Sequence, residues 1–185
     1  MGKVARLLAA ATLLAVLACG GGRGGGSGTA AGQTASALVY TDPTDTTQWR
    51  LVKNGTSTPT HLVLDLLAPA GTSGMGVTLV LTVDGTRAGW ADAGQGALVK
   101  PGSYQGTLAQ RASLQGSALR ILLSQVNPAP PIPYGTAPLL TVALALNAGA
   151  ATGPVACTAT EGGHLAAPLT LPVPVAISLG ALEAQ

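Results

Sequence analysis

The residues able to do chemistry are few: two histidines, His61 and His164, two cysteines, Cys19 and Cys157, five Asp and two Glu. Acid–base or nucleophilic catalysis needs such groups converging within hydrogen-bond reach. Neither histidine stands in a His-Glu-x-x-His pattern, no Gly-x-Ser-x-Gly elbow occurs, and no spacing singles out a Ser–His–Asp trio. His61 reads as the head of a strand, and His164 as the residue after a Gly162-Gly163 turn. Asp42 and Asp45 form one local acidic pair, too few oxygens for Ca²⁺, and read as turn residues. Cys157, in Val155-Ala156-Cys157-Thr158, reads as a small buried hydrophobe in a strand. No cofactor and no metal site is expected. Sugar stacking needs aromatic faces, and the sequence holds Tyr40, Trp49, Trp90, Tyr104 and Tyr134. Trp90 lies among small residues in an expected loop, so Trp90, Asp92 and Tyr134 are taken as the candidate binding surface.

Cys19 has a different context. Lys3 and Arg6 precede an uncharged run of twelve residues, Leu7 to Ala18. As a helix that run spans about 18 Å, short of a hydrocarbon core of roughly 30 Å, so it reads as an export signal and not a membrane span. Its end, Val16-Leu17-Ala18-Cys19, resembles a bacterial lipobox. The resemblance implies that residues 1–18 are removed, that Cys19 carries lipid, and that the protein meets the membrane through that lipid. Gly20, where inner-membrane lipoproteins carry a retention Asp, is similar to lipoproteins sent to the outer membrane of a two-membrane bacterium.

Composition excludes several partners. Charged residues make up 9% of the 185, and the formal net charge is +2. Without Lys3 and Arg6, seven basic residues face seven acidic ones. No positive stripe is left for phosphate backbones, and nucleic-acid binding is not expected. Gly20 to Ala35 holds eight glycines. Such a stretch loses much backbone entropy on ordering and has little to bury, so residues 19–35 are expected to be a flexible tether of about 20–24 Å reach.

The elements beyond it, residues 36–185, repeat with period two. Leu62, Leu64 and Leu66 alternate with their neighbours, as do Val77, Leu79, Leu81 and Val83, then Leu119, Ile121 and Leu123, then Leu140, Val142, Leu144 and Leu146. Val173, Val175 and Ile177 follow, and Trp49 opens a Trp-Arg-Leu-Val strand. Asn54-Gly55, Asp84-Gly85, Pro101-Gly102 and Gly162-Gly163 read as turns. Thr107 to Gln115, free of proline, fits one or two helical turns; the Pro-rich stretch Asn127 to Pro138 reads as a stiff loop crossing between sheets. Many short strands without β–α alternation predict an all-β fold, a single antiparallel β-sandwich. Val63, Val80 and Leu122 place apolar side chains on the second faces of their strands, which implies a cover or a partner.

The strand sequence resembles cohesin domains and bacterial carbohydrate-binding modules. His61 to Leu67, Gly76 to Asp84 and Tyr134 to Leu144 carry the likeness. It implies a jelly-roll sandwich that binds a protein module or a polysaccharide without catalysis. The cohesin family's partner-contacting residues have no counterparts that can be placed here one by one. The expected function is therefore a non-catalytic, lipid-anchored envelope protein whose sandwich acts as a binding or interaction module, with an envelope protein or a polysaccharide as partner. The alternative is a carbohydrate-binding module, and an envelope hydrolase is the remotest reading.

Overall fold

A computed structural model describes residues 33–91, 99–102, 107–126, 130–166 and 171–185. Sixteen strands run through them: β1 (Leu38–Thr41), β2 (Trp49–Lys53), β3 (His61–Leu67), β4 (Ser73–Gly74), β5 (Gly76–Val83), β6 (Ala88–Ala91), β7 (Val99–Pro101) and β8 (Leu108–Gln115). After these come β9 (Ala118–Gln125), β10 (Ile132–Pro133), β11 (Leu140–Leu146), β12 (Gly153–Pro154), β13 (Cys157–Leu165), β14 (Val173–Pro174), β15 (Ile177–Ser178) and β16 (Ala181–Ala184). No helix appears among them, and the fold is the expected all-β sandwich.

One sheet has five strands in the order β14-β13-β5-β9-β8. The other runs β15-β2-β3-β11-β6, with β7 also paired to β11, and its β15–β2 pair is the parallel exception in an antiparallel fold. The alternation dictates the core. Leu66 stands opposite Leu140, Leu64 opposite Val142, and Leu62 opposite Leu144, which in turn faces Trp90. Across the sandwich Val77, Leu79 and Leu81 oppose Leu123, Ile121 and Leu119. All of these belong to one buried cluster. A three-stranded sheet, β1-β16-β12, adds Leu38, Tyr40 and Leu182 to it. With no phenylalanine in the chain, the core is mostly aliphatic side chains on paired strands, with Tyr40, Trp49, Trp90 and Tyr134 packed among them.

Several expectations fail for identifiable reasons. Thr107 to Gln115 is not helical: Leu108 to Gln115 is an edge strand, joined to β9 through the two-residue turn Gly116–Ser117, where Gly116 takes φ +59°. Gly162-Gly163 is not a turn but the middle of β13. A side chain at Gly162 would strike the Val175 carbonyl and Ile177, and one at Gly163 would strike Thr78 and Pro172. Glycine is there because the chain crosses closely overhead. Trp90 lies in strand β6, not a loop. In the Pro-rich stretch, Ile132–Pro133 pairs with β4, although the connection does pass from the five-stranded to the six-stranded sheet. The closing residues Ala181–Ala184 form β16 against β1. Ala35, expected in the tether, is buried, and its N–H donates to the Ala150 carbonyl at 2.7 Å.

Candidate interaction surface

The two sheets present very different outer faces. On the six-stranded sheet, Val63, Asp65 and Ala143 point away from the core yet are 5%, 8% and 0% exposed. Asp65 accepts hydrogen bonds from Asn54 Nδ2 at 2.7 Å and from Thr141 Oγ1 at 2.8 Å. Ser57 Oγ accepts from the Val63 N–H at 3.0 Å and donates to the Val63 carbonyl. The turn from Asn54 to Thr58 thus folds over this face and satisfies the polar groups beneath it.

Among the described residues the five-stranded sheet has no comparable cover. Its outer face is ordered in two rows across the strands by register alone. Glu161, Val80, Arg120 and Ser113 stand side by side, and the next row is Gly163, Thr78, Leu122 and Arg111. Leu122 is 40% exposed, while Val80 is buried between Glu161 and Arg120. At about 4.8 Å per strand, Glu161 and Arg120 are about 10 Å apart along the sheet. Neither arginine forms an ion pair among the described residues; the pair present there is Arg87–Asp84, at 2.9 Å. The face holds a shallow concavity of about 500 Å³.

A β-bulge sets which side chains reach this surface. The β13–β5 register shifts between Ala159 and Glu161, leaving Thr160 unpaired in the ladder. Before the bulge, Ala159 faces the core opposite Leu81; after it, Glu161 faces outward opposite Val80. Uninterrupted alternation would turn Glu161 into the core and His164 out of it.

His164 instead packs inward against Trp49 and Tyr134, with ring centroids 5.2 and 5.7 Å away. Its Nε2–H donates to the Ser73 carbonyl at 3.1 Å. Burial holds its pKa below the usual imidazole value, which that hydrogen bond partly opposes. His61 heads β3 as expected, opposite Ala145. Neither histidine pairs with a carboxylate among the described residues, and no three His, Cys, Asp or Glu gather there to hold a metal ion. Cys157 is packed against the core, and burial pushes its thiol up to about 11, so little thiolate exists at neutral pH. Asp45 accepts from the Thr47 hydroxyl and N–H, an Asx-turn that lowers its pKa, and Asp42 caps the Lys53 N–H.

The aromatic surface taken from the sequence is corrected here. Trp90 is 9% exposed and turned inward by its pairing with Leu144, and its indole N–H donates to the Ser117 carbonyl at 2.8 Å. Tyr134 is 2% exposed, and its hydroxyl accepts from the Gly76 N–H. Tyr40 and Trp49 are likewise buried, and burial raises the Tyr40 phenol to about 12. Asp92, Tyr104 and Cys19 lie outside the described residues. The surface that does form, around Arg111, Arg120, Leu122 and Glu161, was signalled in the sequence by Val80 and Leu122, apolar residues on the second faces of their strands. The arginines sit at alternate positions of strands whose pairing the sequence does not print.

No family model matches the chain, and no curated protein is significantly similar to it. Among solved structures, it is similar to a type II cohesin domain from the cellulosome of Acetivibrio cellulolyticus. The TM-score is 0.50 and the identity 11%, covering 73% of this chain and 93% of that one. It is also similar to a cohesin module from a family 33 glycoside hydrolase of Clostridium perfringens, with a TM-score of 0.45 and 10% identity over 83% of this chain and 97% of that one. The fold is the cohesin type of β-sandwich, as the strand sequence suggested.

Proposed function

We propose that this chain is a non-catalytic, lipid-anchored envelope module that binds a protein partner through the open face of its five-stranded sheet. The observation that carries the reading is the contrast between the faces: one is closed over its apolar and charged groups, while the other leaves Leu122 exposed beside two unpaired arginines. A small apolar centre flanked by arginine is the composition of a protein-binding patch. The cohesin-like fold agrees with a binding role. In this reading the leader and Cys19 supply the anchor, and the glycine-rich residues 20–32 the reach.

A sugar-binding role would need an aromatic platform, and Tyr40, Trp49, Trp90 and Tyr134 are all buried. The protein-binding reading is therefore preferred to the carbohydrate one.

Two experiments test it. Replacing Cys19 with serine in the full chain should move the protein from the membrane pellet to the soluble fraction and remove the lipid mass; unchanged membrane association sinks the anchoring. The full chain in detergent, immobilised and exposed to solubilised envelope proteins, should retain a partner that the double variant Leu122→Asp, Arg120→Glu loses. If both forms retain the same proteins, or none, the open face is not the binding surface.

A further inference from the structure

Strand β8 ends its sheet, and over its eight residues nothing among the described residues pairs with its outer side. The other edges are short: β14 and β15 have two residues each, β6 four, β7 three, β1 four and β12 two. Long edges are normally blunted by lysine, proline or a bulge, because their free N–H and C=O groups template further pairing. The far edge of this same sheet is blunted in that way, with Pro172 and Pro174 at β14. β8 has no lysine, proline or bulge, its one charged residue is Arg111, and its register with β9 is unbroken from Leu108↔Gln125 to Gln115↔Ala118.

The direction of each backbone group follows from one bond. The Val126 N–H donates to the Thr107 carbonyl, so this pair is hydrogen-bonded toward β9. Antiparallel alternation then turns Ala109, Arg111, Ser113 and Gln115 toward β9 as well. Leu108, Gln110, Ala112 and Leu114 aim their N–H and C=O groups outward.

We infer that this edge takes up an extended, acidic segment of a protein partner as a sixth strand of the sheet. The charge of the hairpin chooses the occupant. From Leu108 to Gln125 there are two arginines, Arg111 and Arg120, and no Asp or Glu. Both point to the outer face, one strand apart. A strand laid along β8 brings its own outer-face side chain within about 5 Å of Arg111, where a carboxylate is favoured and a cation repelled. A second copy of the chain is the poorer occupant, since β8 against β8 sets arginines of both copies on one face without a carboxylate. Residues 1–32 also contain no Asp or Glu, so the chain's own leading segment does not complement the edge. Backbone pairing supplies affinity and the side chain opposite Arg111 supplies selectivity. The inference rests on the reading of the chain as a protein-binding module, but it uses main-chain atoms where the open face uses side chains.

The test uses the full chain in detergent and two short peptides of alternating threonine and valine, one with a central glutamate and one with a central lysine. The glutamate peptide should bind about ten-fold tighter or more. It should slow amide exchange at Leu108, Gln110, Ala112 and Leu114. Ala112→Pro, which removes an outward donor and no bond to β9, should weaken it by about ten-fold, and Arg111→Glu should invert the preference. Should Ala112→Pro fail to fold, Arg111→Glu still decides. Equal binding of the two peptides, protection elsewhere, or an Arg111→Glu variant that still prefers glutamate overturns the inference. Dimerisation lost in Ala112→Pro, without peptide binding, would overturn it in favour of a second copy. An envelope partner lost to Leu122→Asp but kept by Ala112→Pro would leave the open face standing and remove the edge.

Discussion

The outer faces of the two sheets carry similar side chains and treat them in opposite ways. Both have apolar residues on the second side of a core strand, Val63 in β3 and Leu122 in β9, and both have charge close by. On the six-stranded sheet Val63 is buried and its backbone is bonded by Ser57 of the Asn54–Thr58 turn, and Asp65 is bonded on both sides. On the five-stranded sheet Leu122 and its two arginines are left uncovered. A charged or apolar residue on an outer face is therefore no guide to function until its cover is known. Where the chain supplies the cover, the residue belongs to stability; where it does not, the residue is free for a partner.

The comparison can be broken by variants whose effects on stability fall in a definite order. The largest loss should follow Asp65→Ala, which strands the donors of Asn54 and Thr141 beneath the closed face and should cost about 2–3 kcal/mol in urea unfolding without touching partner binding. A loss of binding there would contradict the division of labour.

A smaller effect is expected from pH. The His164 pKa is lowered on folding, so the unfolded chain binds more protons once the pH falls below the ordinary histidine value near 6.5. Stability contributed by the neutral ring is present above that value and is lost as the pH falls through it. Wild type should weaken between pH 7 and pH 5 more than His164→Asn, measured by paired denaturant titrations. Identical slopes would show that the ring does not titrate differently in the two states. Smallest of all, Leu122→Asp should change stability by no more than about 0.5 kcal/mol in a denaturant titration, since Leu122 is exposed and lies outside the buried core. A large destabilisation by this variant would mean that Leu122 is structural after all.

Much of the core was legible because it obeys period two: β3, β5, β9 and β11 lie where their leucines and valines alternate. The failures cluster where tertiary neighbours override local preference. In Leu108 to Gln115, Leu108, Arg111, Ala112 and Leu114 fit a helical stripe, and only pairing with β9 makes the segment a strand. Gly162-Gly163 carries a turn composition, yet the reason for it is the close passage of Pro172, Val175 and Ile177, beyond the reach of local pattern. Trp90 sits among small residues that suggest a loop; its partner Leu144 lies more than fifty residues away. The candidate surface was legible only through Val80 and Leu122, since the rows that bring Arg111 and Arg120 together are a property of register, and the one-residue slip at Thr160 has no local signature.

The meeting of β1 with β16 has a mechanical consequence. Ala37 and Gln185 exchange both of their backbone hydrogen bonds, at 2.8 Å each. A load applied between these two positions finds them one strand spacing apart, about 5 Å. The folded body thus hangs to one side of the line of force and adds almost no contour length. Stretched out, the same residues could span about 500 Å. Pulled at these points, the sandwich is a stored slack held by the peeling resistance of one four-residue strand pair.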